Sequence, residues 1–149
     1  MAFYRHVLIG LDLSAESRQV MGRVENLLAS SDARISLVHV LEPLSFAYGG
    51  DIPVDLGQLQ VSLEAKAREQ LQALAAASSL PHPQCHILIG QPANEMHRFA
   101  RENDVDLAVV GSHGRHGLAL IFGSTANGVL HGATCDVLAV RIQPERSGT

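Results

Sequence analysis

The residues best suited to chemistry lie in the stretch GSHGRHGLALIFGSTANGVL, which runs from Gly111 to Leu130 directly after the apolar run DLAVV. Glycines adopt positive φ readily and let successive backbone N–H groups point into one hollow, which attracts an anion. Gly123, Ser124 and Thr125 then open a predicted helix, whose unpaired N–H groups and two hydroxyls favour a phosphate. The stretch predicts two anion contacts separated by a loop. The alternative is that its glycines only permit tight turns and that Ser124 caps the helix.

Other phosphate-binding and catalytic motifs do not match the sequence. A Walker P-loop requires a lysine after its glycines, whereas the single lysine, Lys66, lies in a different predicted helix. A dinucleotide fingerprint requires GxGxxG after the first strand, where this chain has GLDLSAES. The signatures GxSxG, HExxH, HxGH and SGGxDS are also missing, so no catalytic residue is assigned.

The histidines raise the question of a metal site, because the segment HPQCH brings His82, Cys85 and His86 close together in sequence. The segment supplies only two or three donors, and no second cluster of matching spacing completes a tetrahedral site. We therefore expect no bound metal. His113 and His116 flank the glycine-rich turn and are expected to be solvated.

Short apolar runs alternate with helical patterns along the whole chain. This strict alternation predicts a single α/β domain over residues 1–149, with a doubly wound, Rossmann-like parallel sheet of strand order 3-2-1-4-5 and helices on both faces. The first predicted strand lies in the run Tyr4–Asp12 and ends at Gly10. The other predicted strands are Ala33–Leu41, Gln84–Gly90, Asp106–Val110 and Asp136–Ile142. The predicted helices are Ala15–Ala29 with Ser14 as N-cap, Leu56–Ala77, one opened by Pro92, and one from Thr125 to His131.

The ends of the first and fourth strands are the expected ligand site. In a doubly wound sheet, ligands bind outside the carboxyl ends of the strands where the winding reverses. The residues that converge there are Gly10, Leu11 and Asp12 from the first strand and Val110 to Gly114 from the fourth. Asp12 has two interpretations that its position leaves open: a ligand-binding carboxylate, or a carboxylate that stabilises the amino end of the next helix.

Composition excludes several classes of partner. The chain has 149 residues, 46% hydrophobic content and a formal charge of −4, with a pI near 6.0. No basic face is present to bind nucleic acid, and no apolar run is long enough to insert into a membrane. We expect a soluble cytoplasmic protein in which Cys85 and Cys135 stay reduced.

Together these segments resemble the universal stress protein family. The resemblance lies in HVLIGLDLSAES, SLVHV, DLAVVGSHG, GSTANGVL and CDVLAVRI, and extends over about residues 6–141. Spaced glycines followed by Ser or Thr mark the nucleotide-binding branch of that family. Gly111 and Gly114 match, and eight residues then precede Gly123 and Ser124, one fewer than in that branch.

The resemblance implies an ATP site, with or without Mg²⁺. On the adenine and ribose side it places Gly10, Leu11, Asp12 and Val40. Beneath the ribose it places Val110 and Gly111, and at the phosphates Gly114, Arg115, Gly123, Ser124 and Thr125.

The resemblance also implies a homodimer formed through the last strand, Asp136–Ile142. That strand is apolar on both faces and lies at a predicted sheet edge, which invites pairing with a second chain. The side chains expected to become buried are either Val137, Ala139 and Arg141 or Leu138, Val140 and Ile142. Assembly beyond the dimer is left open.

Three functions follow from these observations. The first is a dimeric stress-response module in which ATP changes the loop Glu42–Gly57 and so the choice of a regulatory protein partner. The second is a weak ATPase or phosphotransfer enzyme of the adenine-nucleotide α/β class. The third is a nucleotide-free dimer of the same family. The marker glycines favour the first.

Overall fold

The computed structural model describes residues 3–43, 56–112 and 124–143, and only the backbone for 56 and 124–126. Its five parallel strands form one sheet in the predicted order β3-β2-β1-β4-β5. The elements, in chain order, are β1 His6–Gly10, α1 Ser17–Leu27, β2 Arg34–Leu41, α2 Leu56–Ala77, β3 Gln84–Ile89, α3 Pro92–Glu102, β4 Leu107–Gly111, α4 Ser124–His131 and β5 Asp136–Val140. The doubly wound fold expected from the alternation is therefore confirmed.

Apolar side chains cover both faces of the sheet, because successive strand residues point to opposite faces. Val7 and Ile9 belong to a first core cluster, packed with α1 and α2, whereas Leu8 belongs to a second core cluster, packed with α3 and α4. All three side chains are 0% exposed. This two-sided burial explains why the strands are continuously apolar instead of alternating.

The first helix starts later than its sequence suggests. α1 begins at Ser17, and Glu16 occupies the N-cap position without a side-chain capping bond. Ser14, the predicted cap, instead donates its hydroxyl hydrogen to the carboxylate of Asp12 at 2.6 Å. The prediction of Ser14 as N-cap is therefore wrong, because a turn built by Asp12 uses that hydroxyl first.

α2 has the predicted bounds, but its apolar stripe divides into two parts. Ala67 and Leu71 are buried, whereas Leu59 and Leu63 remain 45% and 36% exposed. The helix has 22 residues, a length of about 33 Å, while the eight residues of β2 span about 26 Å. The helix is therefore longer than the sheet that it covers.

A polar network closes the amino edge of the sheet. The carboxylate of Asp106 accepts hydrogen bonds from the backbone N–H groups of Arg5 and His6, at 2.9 and 3.0 Å. The buried ring of His6 lies 2.8 Å from the carbonyl oxygen of Asn103 through Nδ1 and 2.7 Å from Oγ of Ser36 through Nε2. These bonds join β1, β2 and the segment between α3 and β4.

β5 is one edge of the sheet: it pairs with β4, and within the described ranges no strand pairs with its other side. Val140 and Ile142 are buried in the first core cluster, and Val137 packs against the second. Ala139 and Arg141 are exposed. The outer backbone of β5 is therefore accessible at this edge, together with these two side chains and that of Asp136, which is also exposed.

Among the helices that the structure describes, none combines the length and the apolar character needed to cross a membrane.

Candidate functional site

The carboxyl ends of β1 and β4 lie side by side at the centre of the sheet. The two strands are paired in register as far as Ile9 and Val109. A Cβ atom placed on Gly10 would lie 3.5 Å from Cγ1 of Val110 and 2.7 Å from the sulfur of Met96. Because Cβ contacts shorter than 3 Å are essentially never found, a side chain at position 10 would have to displace the end of Met96. Two predicted site residues, Gly10 and Val110, are thus brought together.

Asp12 builds the turn that follows β1. Its Oδ1 accepts hydrogen bonds from the backbone N–H of Ser14 at 2.9 Å, from the Ser14 hydroxyl at 2.6 Å and from the Ser17 hydroxyl at 3.3 Å. None of these bonds involves Oδ2, and the Asp12 side chain is exposed. One carboxylate oxygen therefore holds the turn, and the other remains able to accept hydrogen bonds from a ligand. Both interpretations of Asp12 are compatible with this geometry.

The turn also contains a strained residue. Leu13 has φ of 62°, in the left-handed region that branched side chains rarely adopt, at a cost of about 1–2 kcal/mol. Packing of the Leu13 side chain against the first core cluster and the Asp12 bonds to Ser14 hold this conformation. The turn is therefore kept in one shape before any ligand arrives.

β2 fixes the peptide groups on both sides of Leu11. The N–H of Leu11 donates to the carbonyl oxygen of Val38 at 2.9 Å. The carbonyl oxygen of Leu11 lies 2.7 Å from Nδ1 of His39. Since a carbonyl oxygen can only accept, Nδ1 of His39 is the donor in this bond. Both polar backbone groups of Leu11 are thus oriented by the neighbouring strand.

The end of β4 is tied to the segment that follows β5. The N–H of Ser112 donates to the carbonyl oxygen of Val140 at 2.7 Å, and Oγ of Ser112 accepts from the N–H of Ile142 at 3.3 Å. A Cβ on Gly111 would lie 3.2 Å from Cγ1 of Ile142 and 3.5 Å from Cγ2 of Val20. Glycine therefore gives the end of β4 the room that this close packing requires.

α4 begins at Ser124 and packs closely on α3. A Cβ on Gly128 would lie only 2.7 Å from Cβ of Ala93. Nε2 of His97 donates to the carbonyl oxygen of Gly128 at 2.9 Å. Because α4 follows a parallel strand, its amino end lies at the carboxyl edge of the sheet, where N–H groups without helical partners favour an anion. His97 and Gly128 therefore fix the helix whose first turn faces the candidate site.

Residues 3–141 match the model of the universal stress protein family, Usp. The chain belongs to the universal stress protein family. Among curated relatives, Universal stress protein A homolog 1 of Coxiella burnetii is 41% identical over 139 residues, which cover 92% of this chain and 96% of that protein.

Solved structures share the fold of this universal stress protein. Hypothetical protein MJ0577 has a TM-score of 0.80 at 20% identity and covers 97% of this chain and 100% of its own. A universal stress protein in complex with cAMP has a TM-score of 0.61 at 22% identity, with coverages of 92% and 96%. One from Archaeoglobus fulgidus in complex with dAMP has a TM-score of 0.57 at 19% identity, with coverages of 96% and 100%.

The predicted site residues of this universal stress protein fall into three groups. The first group lies together at the carboxyl ends of β1 and β4, where the winding of the sheet reverses, and consists of Gly10, Leu11, Asp12, Val110 and Gly111. Val40 lies near the end of β2, half-buried against the second core cluster. Gly114, Arg115 and Gly123 lie outside the described residues, and Ser124 and Thr125 are described only as backbone of α4.

Sequence reasoning missed two histidines that position the site, His39 and His97. The signal for His39 was present, because it is the one polar residue in the apolar run LVHVL and its ring faces the end of the first strand. His97 had no comparable signal. It lies on an amphipathic helix where a polar residue is ordinary, and its partner is a backbone carbonyl of another helix.

The segment HPQCH does not assemble a metal site in this universal stress protein. Cys85 packs against the first core cluster, whereas the His86 ring lies 4.9 Å from the ring of Phe99 on the opposite face of the sheet. Over the described residues, no group of three or more His, Cys, Asp or Glu side chains could hold a metal ion. Burial raises the pKa of both free thiols, Cys85 and Cys135, which keeps them protonated near neutral pH.

Proposed function

We propose that this universal stress protein binds ATP at the carboxyl ends of β1 and β4 and acts as a dimeric module of the stress response. The observation that carries the proposal is the convergence of Gly10, Leu11, Asp12, Val110 and Gly111 at the point where the winding of the sheet reverses. The amino end of α4 lies at the same edge. A polar ribose side and an anion-binding helix end are what a nucleoside phosphate requires.

On this proposal Asp12 contacts the ribose through Oδ2, while its Oδ1 keeps the turn in shape. The backbone of Gly10 and Leu11, together with Val40, contacts the adenine, and Val110 and Gly111 lie beneath the ribose. The phosphates are bound by Gly114, Arg115, Gly123, Ser124 and Thr125. Mg²⁺ accompanies the nucleotide through phosphate oxygens, as this ion usually does.

Related structures support the class of ligand. One universal stress protein was solved in complex with cAMP and another in complex with dAMP. Both ligands are adenine nucleotides with a phosphate group, and they differ at the ribose. ATP, AMP and cAMP are therefore the ligands to compare in solution.

The dimer in this proposal forms through the outer edge of β5, where the backbone polar groups lack a strand partner within the described ranges. Of the predicted loop Glu42–Gly57, residues 44–55 lie outside the described residues, and Leu56 and Gly57 belong to α2. On this proposal the segment before α2 changes with nucleotide occupancy and selects the regulatory protein partner. A cytoplasmic location belongs to the same proposal, because Cys85 and Cys135 are free thiols and a reducing compartment keeps thiols unpaired.

Calorimetric titration with ATP tests the proposal directly. The native chain should bind saturably, and the double variant Gly114→Ala, Ser124→Ala should lose that binding. A matched control is Gly57→Ala, Ser62→Ala, which makes the same chemical changes on α2, where a Cβ on Gly57 meets nothing within 4 Å. The proposal is overturned if the native chain gives neither heat nor thermal stabilisation at millimolar ATP.

A further inference from the structure

A groove separates α1 from α2 on the face of the sheet that holds the first core cluster. Its volume is about 820 Å³. The α1 wall includes Arg18, Gly22 and Glu25, and the α2 wall includes Ala73, Leu74 and Ala77. The small side chains on both walls leave space for another element to approach the two helices closely.

Gly22 lies in the interior of α1, and no residue that the structure describes gives a steric reason for a glycine there. A Cβ at this position would meet nothing within 4 Å. Glycine in a helix interior is less stable than alanine, because it loses more backbone entropy on folding. Since Gly22 lines the groove, the missing side chain leaves room for a close neighbour on that side of α1.

Two opposite charges flank this glycine on α1, Arg18 four residues before it and Glu25 three residues after it. Arg18 and Glu25 are seven residues apart and therefore lie on one stripe of the helix, with Met21 and Gly22 between them. Within the described residues Arg18 forms no ion pair. Glu25 accepts one hydrogen bond at Oε2, from the hydroxyl of Ser79 at 3.3 Å, so its second oxygen is available.

We propose that this groove is occupied by α1 of a second copy of the chain, in a two-fold contact that brings the two α1 helices together antiparallel at Gly22. Arg18 then faces the partner's Glu25, and Glu25 faces the partner's Arg18. A stripe with a positive charge at one end and a negative charge at the other, whose midpoint lies between Met21 and Gly22, is complementary to a second copy of itself in the antiparallel orientation. One end of the groove is lined by Leu13 and Ser14, from the turn that Asp12 builds. The contact is separate from the β5 edge, so both contacts together build an assembly larger than a dimer.

Charge-reversal variants test the contact through the mass of the assembly. Arg18→Glu places two acidic side chains opposite each other in a contact between identical copies, and Glu25→Arg places two basic ones there. Each single variant should therefore form smaller assemblies than the native chain in sedimentation velocity and native mass spectrometry, with a dissociation constant raised at least about tenfold.

Mixing the two single variants separates this proposal from effects inside one chain. In a mixed pair every acidic position faces a basic one, so an equimolar mixture should recover the native mass. The double variant Arg18→Glu, Glu25→Arg should recover it as well. Arg23→Glu, an exposed position on another side of α1, is the control and should keep the native mass.

Two outcomes overturn the proposal. In the first, both single variants have the same mass as the native chain, which leaves the groove open to a different molecule. In the second, the mixture keeps the mass of the single variants, which would mean that each substitution reduces assembly by disturbing the fold of its own chain. ATP binding by the native chain is measured separately by calorimetry, so failure of this contact and failure of the nucleotide proposal are distinguishable.

Discussion

His39 holds the carbonyl oxygen of Leu11 through its Nδ1 at 2.7 Å, so a side chain of β2 orients the peptide group that leads into Asp12. The N–H of Leu11 donates to the carbonyl oxygen of Val38, which is also in β2. The position of the Asp12 carboxylate therefore depends on β2 as well as on its own turn.

This relationship predicts different effects for two replacements of His39. The side-chain amide of asparagine reaches approximately the position of Nδ1, so His39→Asn keeps a donor for Leu11. His39→Leu removes that donor and leaves a carbonyl unpaired, at a cost of about 1–3 kcal/mol. We expect His39→Asn to retain ATP affinity within about threefold and His39→Leu to lose at least about tenfold, measured by calorimetry.

Denaturant unfolding of the same His39 variants checks that each variant is folded, so that their ATP affinities can be compared. If the side chain only fills space, leucine should preserve affinity as well as asparagine does. If Nε2 contacts the nucleotide directly, both variants should lose affinity equally. Either pattern would contradict a positioning role.

Asp12 should separate folding from binding because its two carboxylate oxygens have different partners. Asp12→Asn retains an acceptor for Ser14 and Ser17 but replaces the charged Oδ2, so it should weaken ATP binding about tenfold or more with little change in stability. Asp12→Ala also removes the turn bonds and should cost about 1 kcal/mol in the free energy of unfolding.

The control for Asp12→Asn is Asp32→Asn, an exposed aspartate in the connection between α1 and β2, at the opposite edge of the sheet. Equal affinities of the native chain, Asp12→Asn and Asp32→Asn would exclude Asp12 from the nucleotide site.

The sequence predicts most of the fold because burial on both sheet faces produces continuous apolar strands that are easy to recognise. The alternation of elements predicts a parallel sheet, and the strand order is predicted from a common doubly wound arrangement. The start of α1 was predicted wrongly, since helix capping and a side-chain turn compete for the same Ser14 hydroxyl and only the structure shows which bond forms. The role of His97 depends on a contact between two helices, and such contacts leave no local pattern.

The close contact between α3 and α4 predicts a paired mutational effect. Gly128→Ala should destabilise the fold by about 1–2 kcal/mol, because the new Cβ would lie 2.7 Å from Cβ of Ala93 and neither atom can rotate away. Adding Ala93→Gly restores the space and should return most of the lost stability. Thermal unfolding of the two single variants and the double variant measures the coupling.

If the stability changes of the two single variants simply add in the double variant, the helices shift apart without strain. The same variants also report on the site: Gly128→Ala should weaken ATP binding in proportion to the displacement of α4, and the double variant should recover it.

Stability should fall in mild acid because of His86. Burial, together with the nearby charges of Arg34, His6 and Arg68, lowers the pKa of His86 below its ordinary value of 6.5. Nε2 of His86 is buried and has no hydrogen-bond partner among the described residues, so protonation would place an unpaired charge beside Phe99. The His86 ring is therefore harder to protonate in the folded chain than in the unfolded chain.

The sign of the effect follows from proton linkage. Between the lowered pKa of the folded state and 6.5, the unfolded state binds more protons, so stability decreases as pH falls through this window. We expect the urea midpoint of the native chain to fall between about pH 7.5 and pH 5, and His86→Leu to reduce that fall. His82→Asn, at an exposed histidine of the same segment, controls for the loss of a histidine. An unchanged pH dependence in His86→Leu would assign the acid sensitivity to other groups.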